Sequence, residues 1–150
     1  MGQIKKSLDF GCWFISSQEE KIFYKIREGA NFLHDFVYMS SYINDSECDI
    51  KNIKFRNKSK LLIPISRIRW ELFKKEKELI SVASEISISN VEDYYFQLPK
   101  DFYKINMIEI KDIYCDYNTE NIIIANKVIA FKIIIKIKEK KTPTIILKDI

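Results

Sequence analysis

The chain holds one histidine, His34, followed directly by Asp35. A His-Asp pair is a hallmark of metal-dependent phosphohydrolases, but those centres need further histidines and an aspartate to hold the ion. No D-x-D-x-D or H-E-x-x-H pattern supplies them. The pair therefore reads as structural or partner-facing, with no metal and no cofactor implied. Nucleophilic catalysis meets the same shortage. Cys12, Cys48 and Cys115 could reach the imidazole only through the fold, and no local signature favours any of them. G-x-S-x-G, P-loop and Rossmann patterns are absent, and three glycines leave little backbone for a phosphate cradle. The sequence does not predict an enzyme.

Binding has more support. Between Ile50 and Trp70 the charged residues are Lys51, Lys54, Arg56, Lys58, Lys60, Arg67 and Arg69, with no acid among them. Clustered cations attract phosphate, and Phe55 and Trp70 could add stacking. The plainer reading is a solvated hairpin whose cations protect a sheet edge from aggregation. A second stretch, from Asn90 to Tyr103, carries Tyr94, Tyr95, Phe96, Phe102 and Tyr103 among acids, a composition suited to protein recognition. Arg67, Arg69, Trp70, Tyr94 and Tyr95 are thus the candidate partner-binding residues. The alternative function is nucleic-acid binding through the basic hairpin 51–69.

Whole-chain numbers narrow the class. A length of 150 residues suits a single domain, 1–150, with a proper core. The net charge of +4 permits an acidic partner without demanding one. An odd, widely spaced set of cysteines and the lack of an apolar leader near Met1 predict a reducing, cytoplasmic setting. No apolar run reaches the ~18 residues of a membrane span.

Periodicity supplies the elements that must position these residues. Ile129, Phe131, Ile133, Ile135 and Ile137 alternate with Lys132, Lys136 and Lys138, which predicts a core strand with its lysines outward. Ser16 and Ser17 stand three residues before Glu19 and Glu20, the spacing of a capping box. Ile22, Ile26 and Ala30 follow at four-residue steps, so a helix is predicted over Gln18 to Glu28. Asn31 to Ile43 reads as a strand, with His34 and Asp35 on opposite faces. A hairpin is predicted from Asp49–Arg56 and Lys60–Phe73 through Asn57-Lys58-Ser59, its second strand at an edge or bulged at Pro64. Lys74 to Glu78 reads as a charged connection. Leu79 to Val91 reads as a strand and Asn90 to Lys100 as a loop. Phe102 to Tyr117 carries phase shifts near Met107 and Asp112, and Thr144 to Ile150 is a last strand. The expected class is α+β, a mainly antiparallel sandwich or curved sheet with one N-terminal helix.

This order, a segment with Leu33-His34-Asp35 before a hairpin and successive apolar strands, resembles small uncharacterised bacterial domains that sit beside polymorphic toxins as immunity proteins. The resemblance covers roughly Asn31 to Ile150. It implies a cytoplasmic, single-domain protein that binds and blocks a protein partner without chemistry. Immunity proteins against nucleases tend to be acidic, and the positive charge of this chain departs from that pattern.

Overall fold

A computed structural model of the chain describes residues 3–7, 12–16, 22–26, 32–70, 80–98 and 107–150, with side chains described from residue 36 onward. In chain order the strands are β1 (Gln3–Ser7), β2 (Cys12–Ser16) and β3 (Ile22–Ile26), followed by the helix α1 (Phe32–Ile43). Next come β4 (Ser46–Asp49), β5 (Lys54–Arg56), β6 (Lys60–Ile68), β7 (Ser81–Ile88) and β8 (Val91–Gln97). β9 (Met107–Ile110), β10 (Asp112–Cys115), β11 (Ile122–Asn126), β12 (Phe131–Ile137) and β13 (Ile145–Asp149) complete the set. The architecture is α+β and mostly antiparallel, as the sequence predicts.

Two sheets are formed. The larger runs β1-β2-β3-β13-β7-β6-β4-β9, with β5 also paired to β6; the smaller runs β10-β11-β12-β8. Their inward residues join one apolar core. Ile63, Ile86 and Leu147 come from the first sheet; Ile124, Ile133 and Ile135 come from the second. Each buried isoleucine contributes on the order of 1.5–3 kcal/mol of transfer free energy, so this shared core is what holds the layers together. Ile133 and Ile135 are fully buried on β12, an inner strand of its sheet, and Lys136 is exposed. Lys132 is half-buried, not fully exposed. The strand also begins later than predicted. Lys127–Ile129 is a 3-10 turn, Asn126 caps it by accepting the Val128 N–H at 3.1 Å, and Ala130 takes φ 56°. β11 and β12 are therefore a hairpin with Ile129 at its tip.

The helix and the neighbouring strand exchange the places predicted for them. Residues 22–26 form β3, not the middle of a helix, and 31–43 holds α1, not a strand. Ile22, Phe23, Tyr24 and Ile26 are β-formers, and β3 is paired on both sides, to β2 and β13. Two ladders of backbone bonds outweigh one capping box. In α1, Phe36, Met39 and Ile43 are buried while Val37 is exposed, a three- and four-residue spacing that fits one helical stripe. Asp45, with φ 65°, ends the helix in the left-handed region, and its N–H donates to the Ile110 carbonyl at 2.8 Å. His34 and Asp35 thus lie near the start of a helix, and their side chains fall outside the described residues.

The helix covers the edge of the smaller sheet. Ser40 Oγ donates to the Ile113 carbonyl at 2.8 Å and accepts the Ile113 N–H at 3.0 Å. One hydroxyl thereby satisfies both backbone groups of an edge residue that would otherwise be unpaired. Ser40→Ala is expected to lower stability by about 1–3 kcal/mol, the range for half-buried polar groups left unsatisfied, in equilibrium urea unfolding.

The basic hairpin forms with the predicted register, Arg56 opposite Lys60, and its turn places Asn57 and Lys58 at φ 54° and 52°. β6 is not an edge strand, however. It pairs with β7 on one side and with β5 and β4 on the other. Pro64 is tolerated there because it falls between Leu62, the last residue paired to β5, and Ile65, the first paired to β4. The connection Lys74 to Glu78 lies outside the described residues.

Candidate functional site

The outer face of the smaller sheet carries the candidate binding surface. Its register aligns Tyr114, Ile123, Ile134 and Tyr95 in one row across four strands. Tyr95 is 53% exposed, Tyr114 and Ile134 are half-buried, and Ile123 is buried, as is all of β11. Lys132 stands in the next row, opposite Gln97; Lys136 stands on the other side, opposite Asp93, and pairs with Glu92 at 3.2 Å. Lys127 Nζ lies 5.5 Å from the centre of the Tyr114 ring. Burial, with Asp112 and Asp116 nearby, pushes the Tyr114 phenol up, so it stays neutral. An apolar row flanked by lysines, with a large exposed aromatic at its open end, is the composition of a protein contact.

Tyr94 and Tyr95 belong to strand β8, not to the predicted loop. Alternation separates them. Tyr94 faces the core, with Phe55 at 5.6 Å and Phe96 at 5.9 Å between ring centres, both edge-on, and Phe96 stacks on Phe131 at 6.5 Å. Tyr95 faces solvent. The composition of the stretch suggests recognition, but only pairing with β12 decides which tyrosine is outside. Phe102 and Tyr103 lie outside the described residues.

Arg67 and Arg69 are corrected more sharply. They are 0% and 5% exposed, so neither can contact a phosphate or a partner in this conformation. Arg67 Nε and Nη2 each donate to the Asp149 carboxylate at 2.7 Å, and Ser84 Oγ donates to the same group at 2.6 Å. The guanidinium also lies 5.8 Å from the Tyr42 ring centre. β6, β7 and β13 are neighbours in the sheet, so three strands place this cluster on the core face. A buried arginine needs such a bidentate partner. Trp70 is half-buried, and its indole N–H donates to the Asn44 carbonyl at 2.9 Å, which ties it to the end of α1.

The described thiols are poorly suited to chemistry. Burial, with help from Asp49, pushes Cys48 up to about 12. Cys115 is raised by burial and by Glu120 and Asp116. Lys111 bridges Asp45 and Glu109, and its hydrogen bond holds the Asp45 carboxyl below the usual range. Among the described residues no group of three His, Cys, Asp or Glu side chains converges. No helix in the described residues is long and apolar enough to cross a membrane.

Comparison with known proteins adds no neighbour: no family model, curated protein or solved structure matches the chain.

Proposed function

We propose that the chain is a non-enzymatic protein-binding module of the cytoplasm, of the kind that binds and blocks a partner as immunity proteins do. The observation that carries this reading is the open end of the row, where Tyr95, an exposed aromatic, stands beside the half-buried Ile134 on the edge strand β8. Interface energy concentrates in such aromatics. Among the described thiols, Cys48 is buried and both Cys48 and Cys115 are pushed toward the protonated form, which supports a role without chemistry, since a protonated cysteine is a poor nucleophile.

A second reading keeps one specific support. Lys51, Lys54, Arg56, Lys58 and Lys60 are all exposed around the hairpin and could track a nucleic-acid backbone. Loss of Arg67 and Arg69 to the core removes two cations from that surface. One experiment separates the two readings. Tagged protein and its Tyr95→Ala variant are used for capture from an extract of the source cells, and the wild type is titrated with DNA and RNA over a range of salt. The module reading expects a partner retained by wild type and lost by the variant, with weak nucleic-acid binding. Tight binding to DNA or RNA that weakens with a log–log salt slope of about −0.9 per phosphate on duplex DNA would favour the second reading.

A further inference from the structure

At one end of the smaller sheet a groove of about 910 Å³ lies between the β10–β11 turn and the β12–β13 connection. That volume is within the ordinary range for a binding site. Cys115 and Ile137, both partly exposed, contribute apolar surface to it. One wall is the turn, with Tyr117, Thr119 and Glu120. The other is the connection, with Lys138, Lys140 and Lys141, and with Glu139 among them.

The two walls differ in charge. Lys136 is neutralised by Glu92, but Lys138, Lys140 and Lys141 have no ion-pair partner among the described residues. Opposite them the turn presents Glu120, the acidic side chain on that wall, with no lysine or arginine beside it. Both walls are pinned in place. Asn90 Nδ2 donates to the Thr142 carbonyl at 2.9 Å, and Thr144 and Ser89 bond each other through the Thr144 N–H to Ser89 Oγ at 2.8 Å. On the turn side the Asp116 N–H donates to the Asn121 carbonyl at 2.8 Å, and the Glu120 N–H donates to the Asp116 carbonyl at 2.7 Å. A preformed groove loses less entropy when it is filled.

We infer that this groove takes a polypeptide segment of mixed charge, its carboxylates against the lysine wall, its cation against Glu120 and an apolar side chain on the floor between them. A nucleic acid fits less well, because it brings no cation to the acidic wall and its phosphates would be repelled there. This inference rests on the protein-binding reading and adds the chemistry of the segment recognised.

The test uses a capped peptide with aspartates at one end, leucines in the middle and a lysine at the other. It is titrated into isotopically labelled full-length protein while backbone amide shifts are followed. Saturable shifts are expected for Thr119, Glu120, Lys138 and Lys141. The Lys140→Glu, Lys141→Glu double variant should bind about tenfold more weakly, the scale of a lost pair of charge contacts, with an unchanged unfolding midpoint. A peptide with its charged residues replaced by glutamine should give no saturable shift. The assignment is overturned if the charged peptide leaves the groove amides unmoved, if the double variant binds as well as wild type, or if oligothymidylate saturates these amides and the peptide does not. Should the peptide fail while a captured partner still depends on Tyr95, the groove assignment falls and the protein-binding reading stands. Should capture fail as well, both fall.

Discussion

Asp149→Ala is expected to destabilise the protein by about 3–5 kcal/mol, the range for removing one partner of a buried ion pair. The loss comes mainly from what remains. Arg67 would stay 0% exposed and lose the carboxylate that accepts two of its hydrogen bonds at 2.7 Å on the core face of the larger sheet. Ser84 would lose the acceptor it reaches at 2.6 Å. β13, which links β3 to β7, would lose the side chain that fixes its last residues. Replacing both partners, Arg67→Met with Asp149→Leu, should cost much less than the single change, because no buried charge is then stranded. Equilibrium urea unfolding of wild type, both single variants and the double variant closes a thermodynamic cycle. A loss under about 1 kcal/mol for Asp149→Ala would mean that water reaches the pair.

The second large effect is expected at Ile135. Ile135→Ala should cost about 2–5 kcal/mol, the usual range for truncating a core isoleucine. Ile134→Ala, one residue away and on the opposite face, should cost well under half as much, since Ile134 is only half-buried on the surface proposed for binding. The contrast is the point of the pair, because the two-residue period of a strand puts Ile135 on the core face of β12 and Ile134 on the face proposed for binding. Similar losses at both positions in thermal or urea unfolding would show that the outer row is as much core as the inner one.

The strands with strict alternation were the legible part of this fold. From Phe131 to Ile137 the pattern alone predicts which side chains are inside, and the hairpin through Asn57-Lys58-Ser59 follows from turn chemistry. Local signals failed where tertiary pairing competed with them. Ser16, Ser17 and the glutamates after them read as a helix start, yet residues 22–26 sit between β2 and β13. Conversely, aromatic and β-branched residues from Phe32 to Ile43 read as a strand, while Phe36, Met39 and Ile43 carried a helical spacing that could have been seen. The candidate site was half legible. Tyr95 was named, but its separation from Tyr94 required the register with β12. Arg67 and Arg69 were grouped with the surface cations of the hairpin because no acid stands between Ile50 and Trp70; the carboxylate that holds Arg67 belongs to Asp149, 82 residues away. The groove is likewise assembled from two turns far apart in the chain, and its only sequence trace is the lysine run from Lys136 to Lys141.

The most direct test of the binding account is a calorimetric titration of the captured, purified partner into wild type and into Tyr95→Ala. The account predicts a loss of at least about 2 kcal/mol in binding, roughly thirtyfold, with no change in unfolding midpoint, since the tyrosine is 53% exposed and outside the core. Wild-type affinity in the variant would contradict it and remove the outer face of the smaller sheet as the recognition surface.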